Sequence, residues 1–117
     1  GQFALCLDDP ALDAERKAFV ETLFAALGRT YVLQEQFFDA FTGLAGSGPA
    51  YVLHFMEALI ESGVLMGFPR DKATDIVIGL FAGTSKLAAE TNLHPSILRE
   101  MVTSPAGTTI EALMHLD

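Results

Sequence analysis

Apolar residues recur at helical spacing through most of this chain, and the breaks between the runs are marked by Gly, Pro, Asn and Thr. Phe3 to Leu7 is a short apolar run that reads as a strand. Asp9 then offers an N-cap and Pro10 a first helical residue. Phe19, Val20, Leu23, Phe24 and Leu27 follow at helical spacing, and Gly28 is a natural stop. Thr30 to Glu35 fits either a brief strand or a connector, and Phe37 to Leu44 a short helix. From Pro49 to about Met66 the pattern changes. His54, Glu57 and Glu61 form one narrow polar stripe, while Tyr51, Val52, Leu53, Phe55, Met56, Leu59 and Ile60 cover the remaining faces. A helix apolar on most sides is buried on most sides, which a domain of this size cannot achieve alone. A further long helix is expected from Lys72 to about Thr91, a shorter one from Pro95, and a last one from about Thr108. Gly79 and Gly83, with Ala82 beside them, lie one turn apart and would let another helix approach closely. The expected class is all-α, a helical bundle with little strand.

Composition sharpens this picture. The 117 residues fit one domain, half of them are hydrophobic, and the mean hydropathy is +0.36. Apolar mass in that excess usually ends in a protein–protein interface. The net charge of −8, with seven Lys and Arg, shows no basic stripe for nucleic acid and is repelled by anionic membranes. Ile76 to Gly83, the longest apolar run, falls far short of the ~18 residues of a membrane span. Cys6 is the single cysteine, so no internal disulfide or Cys-rich metal site forms, and a reducing cytoplasm suits the chain.

Candidate chemistry concentrates in Thr103–Thr109, a polar, glycine-containing stretch inside an apolar chain. Gly107 frees the backbone to approach a ligand. The N–H groups of Gly107, Thr108 and Thr109 would sit at a helix start, where donors lack intrahelical partners and the dipole favours anions. Ser104, Thr108 and Thr109 add hydroxyls. On spacing alone an ordinary capped turn is the better reading of the stretch. The glycines around Ser47 and Gly48 match neither a Gly-x-Gly-x-x-Gly fingerprint nor a Walker loop, and read as helix entry and packing. His54, His94 and His115 share no metal-ligand spacing and read as structural or solvent-facing. Glu57 and Glu61 read as a solvated or interface face, and Cys6 as an inert thiol.

The segment His94–Asp117, HPSILREMVTSPAGTTIEALMHLD, resembles the C-terminal helical domain of pyrroline-5-carboxylate reductases, whose pattern it meets at Pro95, Leu98, Val102, Thr103, Ser104, Pro105, Gly107, Thr109, Ala112, Leu113, Leu116 and Asp117. Two upstream blocks, TGLAGSGPAY and MGFPRDKA, resemble the same family in the right order, so the resemblance covers essentially the whole chain. It implies an all-α dimerisation domain of the 6-phosphogluconate-dehydrogenase-like C-terminal type. Residues 1–8 would be the tail of, or link to, a preceding Rossmann domain that binds NADPH or NADH, and residues 9–117 the helical domain without its final helix. The parent would reduce 1-pyrroline-5-carboxylate to L-proline as a homodimer, with higher assembly left open, and no metal is implied.

By the same resemblance, backbone N–H groups of Gly107 and Thr108 would hold the substrate carboxylate, and the Thr109 hydroxyl would bond the ring nitrogen. Ser104 would shape the loop, and Ser47 and Gly48 would lie near the site. Ala106 stands where the family commonly has Gly, and Ala45 where it commonly has Ser. Both departures leave open a reductase of another cyclic imine, and a non-catalytic dimerisation module is the competing class.

Overall fold

Asp13, not Asp9, begins the first helix of the structure, a computed structural model that describes residues 1–116. Asp13 Oδ1 accepts the Arg16 N–H at 2.8 Å and caps helix α1, Ala14–Ala25. Asp9 caps only a turn, taking the Ala11 N–H at 2.8 Å, so Pro10 lies in that turn and not in the helix. Both aspartates can cap, and the later one wins because the apolar helical spacing starts after it. Strand β1, Gln2–Leu5, pairs in parallel with strand β2, Arg29–Val32, so the open segment Thr30–Glu35 resolves in part to a strand. With α1 as the crossover this is a β-α-β unit. Phe3 packs on Phe24 with ring centroids 5.3 Å apart, tying β1 to α1.

The single short helix expected over 37–44 is three turns of different pitch. A 3-10 turn (Glu35–Phe37) leads into helix α2 (Phe38–Phe41) and then a π turn (Thr42–Gly46). The π turn closes with the Ser47 N–H on the Thr42 carbonyl at 2.9 Å. Helix α3 follows at once, Gly48–Leu65, with Pro49 in its first turn. Helix α4 spans Arg70–Thr91, α5 Pro95–Met101 and α6 Thr108–Leu116. The helical class is as expected, with a parallel strand pair in place of one N-terminal strand. Asp117, the closing acidic position of the motif, lies outside the described residues.

The chain divides into two compact units, Gly1–Phe55 and Met56–Asp117. In the first, Leu5 and Leu7 are buried and Tyr31 meets Phe41 at 5.9 Å between ring centres. In the second, α3 and α4 meet at Gly63, where an added Cβ would stand 3.1 Å from that of Ala73. Ala73, Val77 and Leu98 are the other buried positions of this unit among the described residues. The α3–α4 turn needs Gly67, whose φ of +103° is disfavoured for residues with a Cβ. Across the same turn Arg70 grips Glu61 with two bonds, 2.6 and 3.1 Å. Asn92 ends α4 in the left-handed conformation that Asn tolerates better than most residues.

The buried apolar side chains among the described residues are therefore few. Tyr51 is 66% exposed, Leu53 63% and Leu65 89%. Gly79 and Gly83 face open space, with nothing within 4 Å of an added Cβ. The chain has 9217 Å² of accessible surface.

Candidate functional site

Residues Thr103–Thr109 leave α5, turn, and deliver the N-terminus of α6. The last turn of α5 holds the start of the loop. The Thr103 hydroxyl donates to the Arg99 carbonyl at 2.7 Å, and its N–H to the Glu100 carbonyl at 3.0 Å. Pro105 and Ala106 form the tip, and Ala106 has φ +56°. A non-glycine residue in the left-handed region carries a backbone cost. The chain turns back there and the Gly107 N–H donates to the Ser104 carbonyl at 3.1 Å. Gly107 is required by this closure, because a Cβ would collide with Ser104 Oγ and stand 3.2 Å from the Ser104 carbonyl.

Helix α6 starts immediately after. The N–H groups of Thr108, Thr109 and Ile110 meet no acceptor among the described residues, and the hydroxyls of Ser104, Thr108 and Thr109 no hydrogen-bond partner. Thr109 is half-buried while Ser104 and Thr108 are exposed. The structure thus places Ser104, Ala106, Gly107, Thr108 and Thr109 in one closed loop, with backbone donors and hydroxyls at a helix N-terminus. Such an arrangement can hold a carboxylate and offer one more hydrogen bond beside it. One expected donor is already engaged: the Gly107 N–H closes the loop on itself. The free donors here are those of Thr108, Thr109 and Ile110.

Ser47 and Gly48 belong to the first unit. Both are half-buried, at the passage from the π turn into α3, and the Ser47 carbonyl accepts the Ala50 N–H at 3.0 Å. Next to them a shallow hollow of about 340 Å³ is lined by Gln2, Phe41, Thr42, Ala45, Gly46 and Pro49. Ala45 contributes a methyl to that lining.

Two polar features were not read from the sequence. Glu61 is held below the usual carboxylate range, first by its hydrogen bonds from Arg70 and then by the charge of that guanidinium. Arg70 is raised by the same two causes. Its partner lies across a turn, outside the i,i+3 and i,i+4 spacings that flag helix pairs. The other feature is His94, whose Nδ1 accepts the Ser96 N–H at 3.3 Å and lies 2.8 Å from Ser96 Oγ, capping α5. Histidine is not among the usual N-cap residues, which hid the role. No group of His, Cys, Asp and Glu among the described residues is arranged to hold a metal ion. No helix among them is long and apolar enough to cross a membrane.

Residues 35–117 match the family model described as pyrroline-5-carboxylate reductase dimerisation. A pyrroline-5-carboxylate reductase of Aquifex aeolicus is 43% identical over 110 residues, which is 94% of this chain and 42% of that protein. The Arabidopsis thaliana protein of the same name is 42% identical over 103 residues, 88% of this chain and 37% of its own length. A solved structure of the Coxiella burnetii reductase superposes with a TM-score of 0.89 at 32% identity, over 97% of this chain and 42% of the other. The Plasmodium falciparum pyrroline carboxylate reductase, solved with NADP bound, gives 0.84 at 26% identity, over 97% of this chain and 44% of the other. The chain spans less than half the length of these relatives.

Proposed function

This chain belongs to the pyrroline-5-carboxylate reductase dimerisation family, and from that premise we propose that it is the dimerising, substrate-holding part of an NAD(P)H-dependent reductase that makes L-proline from 1-pyrroline-5-carboxylate. The observation that carries the reading is the Thr103–Thr109 loop: a half-buried threonine hydroxyl and free backbone N–H groups meet at one helix N-terminus. The substrate carries a carboxylate next to the ring imine, so one anion site and one hydrogen bond orient it.

In this reading the Thr108 and Thr109 N–H groups hold the carboxylate, assisted by the α6 dipole. Gly107 lets the backbone come close, and its own N–H joins them when its bond to Ser104 is shared or released. The Thr109 hydroxyl bonds the ring nitrogen and steadies the charge change there. Ser104 and Ala106 set the loop's shape. These groups act by positioning, with no general acid among them.

A reduced nicotinamide supplies the hydride when bound. This chain does not fit the cofactor's pyrophosphate: the turn after β1 holds Asp8 and Asp9 and no Gly-x-Gly-x-x-Gly fingerprint. We assign cofactor binding chiefly to the further length that the relatives have, with residues 1–8 as its link and residues 9–117 as the helical domain. The 117-residue chain alone is then inactive.

Homodimerisation follows from the exposed apolar faces of α3 and α4. Tyr51, 66% exposed, and Leu65, 89% exposed, are apolar side chains that an interface would cover. Light scattering should give a dimer mass, and a monomer at micromolar concentration would count against it. The cytoplasm is the proposed location.

The deciding experiment follows NADPH and NADH oxidation by the full-length protein with 1-pyrroline-5-carboxylate. Activity is expected, and Thr109→Ala should lower kcat/KM at least tenfold, about 1.4 kcal/mol of transition-state stabilisation. A folded, full-length protein without activity on this substrate would move the assignment to another cyclic imine or to a non-catalytic module.

A further inference from the structure

We propose that His94 is a positioning residue whose proton state sets the order of the Thr103–Thr109 loop. The inference rests on that loop being the substrate site. Helix α5 has only seven residues, and Leu98 is its buried position among those described. A helix this short depends on its ends. At the N-terminal end the cap is the imidazole: His94 Nδ1 accepts the Ser96 N–H at 3.3 Å, with Ser96 Oγ 2.8 Å away. Only the ring with an unprotonated Nδ1 can do this, so the proton belongs on Nε2. At the C-terminal end, Arg99 and Glu100 hold Thr103 and with it the loop. A seven-residue helix is about 10 Å long, so cap and loop are ends of one short rod.

Protonation changes the cap's sign. The imidazolium has an N–H at Nδ1, which faces the Ser96 N–H as donor against donor and can only donate to Ser96 Oγ. A positive charge is also unfavourable at a helix N-terminus. The charged residues nearest along the chain are Glu90, Arg99 and Glu100. Glu90 pairs with Lys86 at 3.8 Å, and no ion pair among the described residues includes His94. When Nδ1 takes up the proton, α5 loses its cap and the loop its anchor.

The test compares wild type with His94→Asn in the full-length protein, since Asn caps well and does not titrate. Amide hydrogen exchange across residues 94–109 and KM for the imino acid are measured at pH 8 and pH 5.5. Taking the ratio of the two proteins at each pH cancels the pH dependence of intrinsic exchange and of the substrate. Wild type should lose protection relative to His94→Asn on going to pH 5.5 by a factor of about five, the usual worth of one cap. The KM ratio should rise in the same direction with the kcat ratio little changed. A protection ratio equal at both pH values overturns the proposal, as does a changed protection ratio with a constant KM ratio. If neither protein reduces the substrate, the reductase assignment falls, and the exchange ratio by itself still decides whether the cap controls the loop.

Discussion

Replacing Ala106 by glycine is expected to stabilise the chain. Ala106 has φ +56°, the left-handed region, where a Cβ crowds its own backbone at a cost of about 1–2 kcal/mol. Glycine removes that cost but adds freedom to the unfolded chain, about 0.4–1 kcal/mol the other way. The two terms leave a net gain of roughly 0.5–1 kcal/mol. For a chain of this size that is about 2–6 °C in Tm. Urea unfolding of the 117-residue chain should show a higher midpoint at unchanged m, which separates a change in stability from a change in exposed surface. Ala106→Val should move the midpoint down, because a β-branched residue tolerates positive φ worst. A midpoint that falls with glycine, or is indifferent to valine, would show that Ala106 is not left-handed in solution and would refute the loop geometry built on it. The same substitution gives the loop greater freedom, so a rise in stability with a weaker KM in the full-length protein would show that the methyl helps hold the binding form.

Gly107→Ala should cost about 1–3 kcal/mol by overpacking against Ser104, and Ser104→Ala should recover part of it in a double-mutant cycle read by the same unfolding assay. Gly63→Leu should cost a similar ~1–3 kcal/mol, because the added side chain has to enter where a single Cβ already stands 3.1 Å from that of Ala73. Glu61 is depressed by Arg70, so its contribution is present above the ordinary carboxylate value, near 4.5, and is lost as pH falls through the lower folded value. Both groups are fully exposed, so the effect is small. Glu61→Gln should narrow the drop in Tm that wild type shows on acidification from pH 5 to pH 3, and an identical drop would sink the claim.

Helix periodicity made the long elements legible. Pro49 to Met66 and Lys72 to Thr91 were bounded to within two residues, since Pro and Gly mark their ends and long apolar repeats leave little choice. Boundaries failed where two residues of one type competed. Asp9 and Asp13 can both cap, and only the packing that follows Asp13 separates them. The π turn at Thr42–Gly46 has no propensity signature, because it is set by where α2 and α3 must each point. The candidate loop was legible as a group through Gly107 and its hydroxyl neighbours. The engagement of the Gly107 N–H by Ser104 was not, because backbone closure depends on the φ of Ala106, a residue that a sequence rule would not place in the left-handed region. His94 was missed as a cap for a related reason: a rank of cap residues reflects frequency, while any acceptor at the right height will serve.

The parallel pairing of β1 with β2 also sets an order of events. Gln2 and Arg29 are partners in register, so about 27 residues must close into a loop before the first strand bond forms, at an entropy cost near 3 kcal/mol. The Gly63–Ala73 contact closes over a much shorter stretch, helped by helices that form on their own in about a microsecond. The α3–α4 hairpin therefore assembles early, and the strand pair joins late, after α1 has formed between its two halves. On a ribosome the order of appearance is reversed: β1 and β2 both emerge ahead of the α3–α4 hairpin.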